Sequence, residues 1–190
     1  MKASILFSSP RKDGNTSALL HPFCEELDCN HVLYDFFSLY DLNIEPCHAC
    51  RNCQQDFNNF HCRFKDDVAQ IFDSILGSDL IVLATPIYSW YCTAPMKALL
   101  DRLVYGMNKF YGETPGPSLW EGKTLAVITT CGYPPDKGAD LFEAGMKRYC
   151  KHSHLHYAGM LCERHLGYNT SFMDEIKVQH AQQFAKSLIT

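Results

Sequence analysis

The chain predicts an α/β fold in which a parallel sheet is covered by helices on both faces. Two observations carry this. Short β-rich runs alternate with segments of helical period. Several of those runs are nearly continuous in apolar residues, the pattern of strands buried on both faces. With 190 residues, 46% hydrophobic and 13% aromatic, the chain is long enough to bury one sizeable core, and a single domain spanning 1–190 is expected.

The strand candidates are KASILF (2–7), HVLYDFF (31–37), DLIVLAT (79–85), KTLAVITT (123–130) and HLHYAGML (154–161). The first helix is expected over 15–27 with Asn15 or Thr16 as its cap, and the second over 66–77, opened by Asp and closed by Gly. APMKALLDRLVYG (94–106) has proline in its first turn and places Leu99, Leu100, Leu103 and Val104 on one stripe. Residues 137–151 and 172–188 complete five helices between five strands. Two segments break the rhythm, 38–65 and 107–122, and loops of that length are usually functional or interfacial.

The formal net charge is −4 with scattered basic residues, so no basic stripe exists to neutralise a phosphate backbone, and nucleic acid is not an expected partner. No run approaches the length of a membrane span, and the N-terminal ASILF is too short for a signal h-region. A cytoplasmic location follows as the expectation. Ten cysteines without an export signal read as reduced thiols or metal ligands rather than disulfides.

Ligands of an open parallel sheet bind beyond the carboxyl ends of its strands. After the first strand, SSPRKDGNTS (8–17) brings hydroxyls, an amide, Arg11 and Gly14 to a helix N-terminus, a plausible phosphate cradle. It matches neither the P-loop nor the dinucleotide glycine pattern, and a polar turn with an N-cap is the alternative. After the third strand, TPIYSWYCTAP (85–95) supplies aromatics suited to a flat heteroaromatic ligand; ordinary core or interface packing is the alternative. After the fourth, Gly132 in TTCGYPPDKG (129–138) permits close backbone approach.

SSPRKDGNTSALL, IEPCHACRNC, CRFKDDVAQIF and DLIVLATPIYSWYCTAPMKALLDR, in this order, resemble the flavodoxin-like NAD(P)H-dependent FMN reductases, in the branch that includes the iron-sulfur flavoproteins. The resemblance spans roughly the first two thirds of the chain. It implies a doubly wound five-stranded sheet of order 2-1-3-4-5, non-covalent FMN, and a homodimer or homotetramer whose interface builds part of the flavin site. By position it implies that Ser9, Arg11, Asn15, Thr16 and Ser17 hold the FMN phosphate. Pro86, Ile87, Tyr88, Ser89 and Trp90 would line the isoalloxazine, and Thr130, Cys131 and Gly132 its other edge. Electrons would pass from NAD(P)H through FMN to a small acceptor such as a quinone or flavin, or to a redox protein; the cofactor carries that chemistry, and no side chain is expected as acid, base or nucleophile.

The cysteine-rich loop at 45–65 holds CHACRNC (47–53) and a fourth cysteine at 62. Cys47, Cys50, Cys53 and Cys62 formally complete the four thiolates of a [4Fe-4S] cluster. The gap of eight residues before Cys62 is longer than in the iron-sulfur flavoproteins. A cluster, a four-thiolate zinc site and unliganded or transiently oxidised thiols all stay open. If a cluster forms, the protein becomes an electron carrier between protein partners; a thiol-based redox sensor is the third class.

Three weaker signals remain. His152, His154 and His156 would share a face if extended, a spacing that could chelate a metal, although a polar sheet end is the simpler reading. Cys92 lies beside the proposed flavin loop, and Cys24, Cys29, Cys150 and Cys162 read as packing or surface residues. Asp66 and Asp67 read as caps of the following helix.

Overall fold

A computed structural model describes residues 1–189. Its strands are β1 (Lys2–Phe7), β2 (Leu33–Ser38), β3 (Leu80–Pro86), β4 (Thr124–Cys131) and β5 (His156–Arg164). The helices are α1 (Asn15–Cys29), α2 (Val68–Leu76), α3 (Ala94–Met107), the single turn α4 (Pro135–Gly138), α5 (Asp140–Ser153) and α6 (Glu175–Ile189). All strand pairs are parallel, in the order β2-β1-β3-β4-β5. The expected doubly wound sheet of order 2-1-3-4-5 is the observed one.

The period of two along each strand divides the core. Leu6, Ile81, Leu83, Leu125 and Val127 face α2, α3 and α5. Ile5, Leu80, Val82, Ala126 and Ile128 face α1 and α6. Residues 80–84 of β3 and 125–128 of β4 are therefore continuously apolar, because successive side chains enter two different cores.

Several local expectations change. Gly14, not Asn15 or Thr16, occupies the N-cap of α1, and no side chain caps that end. The helix expected over 137–151 is divided where Ala139 (φ −121°) leaves helical backbone between α4 and α5. The three histidines do not form an extended run: His152 lies in the last turn of α5, His154 caps it in the left-handed region (φ 57°), and His156 opens β5. The 107–122 segment is a packed excursion whose Asn108 pairs with Ser118, and whose Trp120 is buried and donates its indole N–H to Asn108 Oδ1 at 2.8 Å. No helix among the described residues is long and apolar enough to cross a membrane.

Candidate functional site

The carboxyl ends of β1, β3 and β4 meet at one edge, held by side-chain bonds between loops far apart in sequence. Thr16 Oγ1, in the first turn of α1, lies 2.9 Å from Thr130 Oγ1 at the end of β4. Ser8 Oγ lies 2.5 Å from Thr93 Oγ1, the N-cap residue of α3, and the Thr93 hydroxyl also reaches the Ser8 carbonyl at 3.0 Å. These four residues are buried, so the hydrogen bonds fix the loops where solvent would otherwise compete.

The 8–14 loop leads into a fifteen-residue helix with no side-chain cap and no acidic residue in its first turn. The first N–H groups of such a helix and its positive dipole end are suited to an anion. Ser9 Oγ is held between the Arg11 N–H at 3.3 Å and the Arg11 carbonyl at 3.1 Å. Arg11 is exposed, Asn15 and Ser17 half-buried and Thr16 buried.

After β3 the chain makes a two-residue hairpin, with paired bonds between Tyr88 and Tyr91 of 2.8 and 2.9 Å. Ser89 (φ 50°) and Trp90 (φ 63°) are both left-handed, as a type I′ turn requires. Neither is glycine, and such backbone costs about 1–3 kcal/mol per residue. Trp90 is braced by its indole N–H donating to the Lys137 carbonyl at 3.1 Å and by stacking on Tyr133, ring centres 6.1 Å apart. Tyr88, Trp90, Tyr91 and Tyr133 are 40–60% exposed. Ile87, Ser89, Trp90, Cys131 and Gly132 share one pocket with Tyr133 and Gly138; Pro86 ends β3 beside it, its register partner being Thr130. A Cβ on Gly132 would meet nothing within 4 Å, so that side is open to a flat ligand. Tyr133 and Gly138 were not among the residues read from sequence, although both lie in the GYPPDKG run.

The cysteine-rich segment lies on the α2 and α3 side. Cys47, Cys50, Cys53 and Cys62 line one pocket, closed by Phe60, Phe64, Tyr105 and Arg102. Ala49 (φ 51°), Arg51 (φ 58°) and His61 (φ 48°) are left-handed in the same segment. The loop is pinned from outside. Gln54 donates to the carbonyls of Tyr105 (2.6 Å) and Asn108 (3.0 Å), and the fully buried Lys109 ammonium donates to those of Cys53 (2.8 Å) and Asn59 (2.7 Å). Burial pulls the Lys109 pKa down. Burial likewise raises that of Cys53.

Arg102 and Asp66, both about 2% exposed as side chains, form a two-pronged ion pair of 2.8 and 3.0 Å. Asp66 is thus the counter-ion of a buried arginine as well as a weak cap, its carboxylate taking the Val68 N–H at 3.4 Å. The Arg102 guanidinium lies 5.1 Å from the Phe64 ring centre and 5.7 Å from that of Phe60, and its Nε–H is buried without a hydrogen-bond partner. Burial opposes its charge, while Asp66 and then Cys62 sustain it. A donor set of four thiols beside an unspent guanidinium N–H suits an anionic thiolate group chemically. Among the described residues, however, no group of three or more His, Cys, Asp or Glu side chains is arranged to hold a metal ion. Arg102, Phe60, Tyr105 and Lys109 were missed in sequence. An arginine three residues from Leu99 on an apolar stripe was the available signal for the first.

The sequence model of the family described as NADPH-dependent FMN reductase matches residues 1–139. An iron-sulfur flavoprotein of Methanocaldococcus jannaschii is 31% identical over 102 residues, 54% of this chain and 51% of that protein. An iron-sulfur flavoprotein of Archaeoglobus fulgidus is 29% identical over 136 residues, 72% of this chain and 58% of that one. The chain spans about half the length of the curated relatives it matches. Among solved structures, an NAD(P)H:quinone oxidoreductase from Methanothermobacter marburgensis shares the fold with a TM-score of 0.79 at 18% identity, covering 100% of this chain and 96% of that one. The match over residues 1–139 takes in β1 through β4 and the three loops that meet at their carboxyl ends, and on it this chain belongs to the NADPH-dependent FMN reductase family.

Proposed function

We propose that the protein is an FMN-dependent oxidoreductase that takes reducing equivalents from NAD(P)H and delivers them to a small acceptor of the quinone or flavin class. The observation that carries this is the convergence fixed by the Thr16–Thr130 bond, which sets an uncapped helix N-terminus beside a pocket walled by Trp90, Cys131 and Gly132.

Ser9, Arg11, Asn15, Thr16 and Ser17 would hold the phosphate, through the first N–H groups of α1, the hydroxyls and the exposed guanidinium. Pro86 to Trp90 would hold one edge of the ring system and Thr130 to Gly132 the other. When bound, FMN supplies hydride acceptance and electron donation. This chain's part is to orient the ring, and its strained 89–90 turn keeps the aromatic wall in place before ligand arrives. The exposed aromatics at this edge support a second copy of the chain as part of the wall, as a homodimer or homotetramer would provide.

FMN titration by fluorescence quenching tests the placement. Arg11→Ala and Thr16→Val should each weaken FMN binding about 10-fold or more, the loss of one charge-assisted or buried bond; unchanged affinity would place the phosphate elsewhere. Anaerobic bleaching of the flavin bands by NADH or NADPH tests the activity.

A second reading, electron carriage between proteins through FMN and a [4Fe-4S] cluster, is favoured by the shared pocket of Cys47, Cys50, Cys53 and Cys62. The loop would have to tighten around a cluster, because the thiols are not at ligating positions. Visible absorption of protein purified without oxygen separates the two: a broad iron-sulfur shoulder under the flavin bands supports the carrier, and clean flavin bands with no iron or sulfide oppose it.

A further inference from the structure

Outside the cysteine-rich segment, two thiols are in contact. Cys131 Sγ, at the end of β4, lies 3.5 Å from Cys162 Sγ on β5. Their meeting depends on an irregularity in the sheet. The β4–β5 register runs Leu125 to Tyr157 and then Ala126 to Gly159, so one residue of β5 is skipped at a bulge where Gly159 has φ 121°. Because side chains alternate with a period of two, the extra residue reverses which face the rest of β5 presents. Tyr157 and Met160, three apart, both pack against the α2–α3–α5 core, and Leu161 against the other. Cys162 pairs with Thr129 and shares the face of Met160, which is the face of Cys131. Without the bulge the two thiols would lie on opposite sides of the sheet.

The pair is asymmetric. Cys131 is buried and lines the pocket of Trp90 and Gly132, whereas Cys162 is half-buried and does not line it. The Cys162 S–H donated to Cys131, and Arg164 beyond, hold the Cys131 thiol below its usual pKa against the effect of burial. The same contact, with burial, raises that of Cys162. Arg164 is fixed by its Nε–H donating to the Gly132 carbonyl at 3.1 Å. Cys131 is therefore the thiol that faces the pocket, and Cys162, partly exposed beside it, is placed to resolve. A disulfide needs the sulfurs at about 2.05 Å, an approach of about 1.5 Å.

We infer that Cys131 and Cys162 are a redox-active thiol pair in which Cys131 is oxidised by a small hydroperoxide entering through the pocket, and Cys162 closes an intramolecular disulfide. Cys131 is only 5% exposed, which restricts the oxidant to a small one such as hydrogen peroxide. The Cys131 thiolate attacks one peroxide oxygen, forming S–O and breaking O–O; the departing hydroxide takes a proton and leaves as water. Cys162 then gives up its proton and attacks the Cys131 sulfur, forming S–S and breaking S–O, and the second hydroxyl leaves with that proton as water. Two thiols lose two electrons and one peroxide becomes two waters. The effect of bound FMN on this reaction rests on the proposed flavin placement; the thiol chemistry does not.

The test treats apoprotein and FMN-loaded protein with hydrogen peroxide and follows the Cys131–Cys162 linked peptide by non-reducing peptide mass spectrometry. Dimedone labelling of Cys162→Ser protein reads the first step. The expected result is a linked peptide in the wild type and a labelled Cys131 in the variant. FMN at ten times its Kd should slow linkage about tenfold, since about one molecule in eleven stays open. Linkage at equal rates with and without FMN, where FMN binding is shown separately, would keep the thiol pair and overturn the flavin placement. Oxidation confined to the Cys47–Cys62 segment, with Cys131 and Cys162 recovered reduced, would overturn the pair whatever the flavin does.

Discussion

Replacing Asp66 by asparagine keeps the shape of the side chain and removes the charge opposite Arg102. Both side chains are about 2% exposed, so the guanidinium would stay in the interior without its counter-ion, a change that costs about 3–5 kcal/mol. Arg102 keeps the Glu45 carbonyl at 2.8 Å, which places the expected loss near the lower figure. With a urea slope of about 2 kcal/mol per molar, a loss of about 3 kcal/mol lowers the midpoint by about 1.5 M. Asp101→Asn, which breaks the half-exposed Lys97–Asp101 pair, is the control and should move stability by less than about 1 kcal/mol. The acid limb gives an independent reading. Burial pushes the Asp66 carboxyl up, but the Arg102 hydrogen bond, the Glu45 N–H and the Arg102 charge bring it net below its ordinary value. A lowered folded value stabilises the fold above the unfolded pKa of about 3.9, and that contribution is lost as pH falls through the folded value. Asp66→Asn should flatten this part of the stability profile. Urea midpoints of the two variants within about 0.3 M of each other would refute the reasoning and mean that water reaches the Arg102 pair.

Lys109→Met should leave the carbonyls of Cys53 and Asn59 unpaired, destabilise the fold by about 2–4 kcal/mol, and open the 50–62 segment to limited proteolysis. Because the folded Lys109 pKa is lowered, wild-type stability should rise with pH from the folded value up to the unfolded value of about 10.4, and Lys109→Met should lack that rise in alkaline urea titrations. Gly106→Ala would put a Cβ 2.4 Å from the Phe60 ring; the ring must leave its place over the thiols, at a cost of about 1–3 kcal/mol, and alkylation of the Cys47–Cys62 thiols by iodoacetamide should accelerate. Ser89→Asn suits the left-handed backbone of the 88–91 turn better and should raise the thermal midpoint by about 1–3 °C, read by circular dichroism; an unchanged midpoint would show that the turn stores no strain.

The sheet was legible because β1, β3 and β4 are apolar on both faces, a composition few other elements share. The loops of the candidate flavin edge were legible because they follow strand ends. What binds them was not: Thr16 meets Thr130 across 114 positions, and only the strand order brings them together. The N-cap falls on Gly14 rather than on Asn15 or Thr16, because a glycine in extended backbone takes that position at a cost of only a few tenths of a kcal/mol relative to a polar side chain. Arg102 sits among leucines on one helix, and its counter-ion lies on a segment read only as a cap. Lys109 and Trp120 fall in a stretch whose glycines and prolines suggested an open loop, although both side chains are buried. Cys162 looked like packing because its relation to Cys131 depends on a one-residue bulge that no spacing rule anticipates.

Helix α3 touches both regions of interest. Its N-cap Thr93 is bonded to Ser8 and to Thr85 at the candidate flavin edge, and nine residues further, about 14 Å along the axis, Arg102 reaches the cysteine pocket. Thermodynamic reciprocity then applies at its two ends: an occupant of the thiol pocket that displaces Arg102 and changes affinity at the Thr93 end by some factor must have its own affinity changed by the same factor when that end is filled. Where α3 carries such a shift, occupancy at its two ends is one linked equilibrium, with the helix as the shared coordinate.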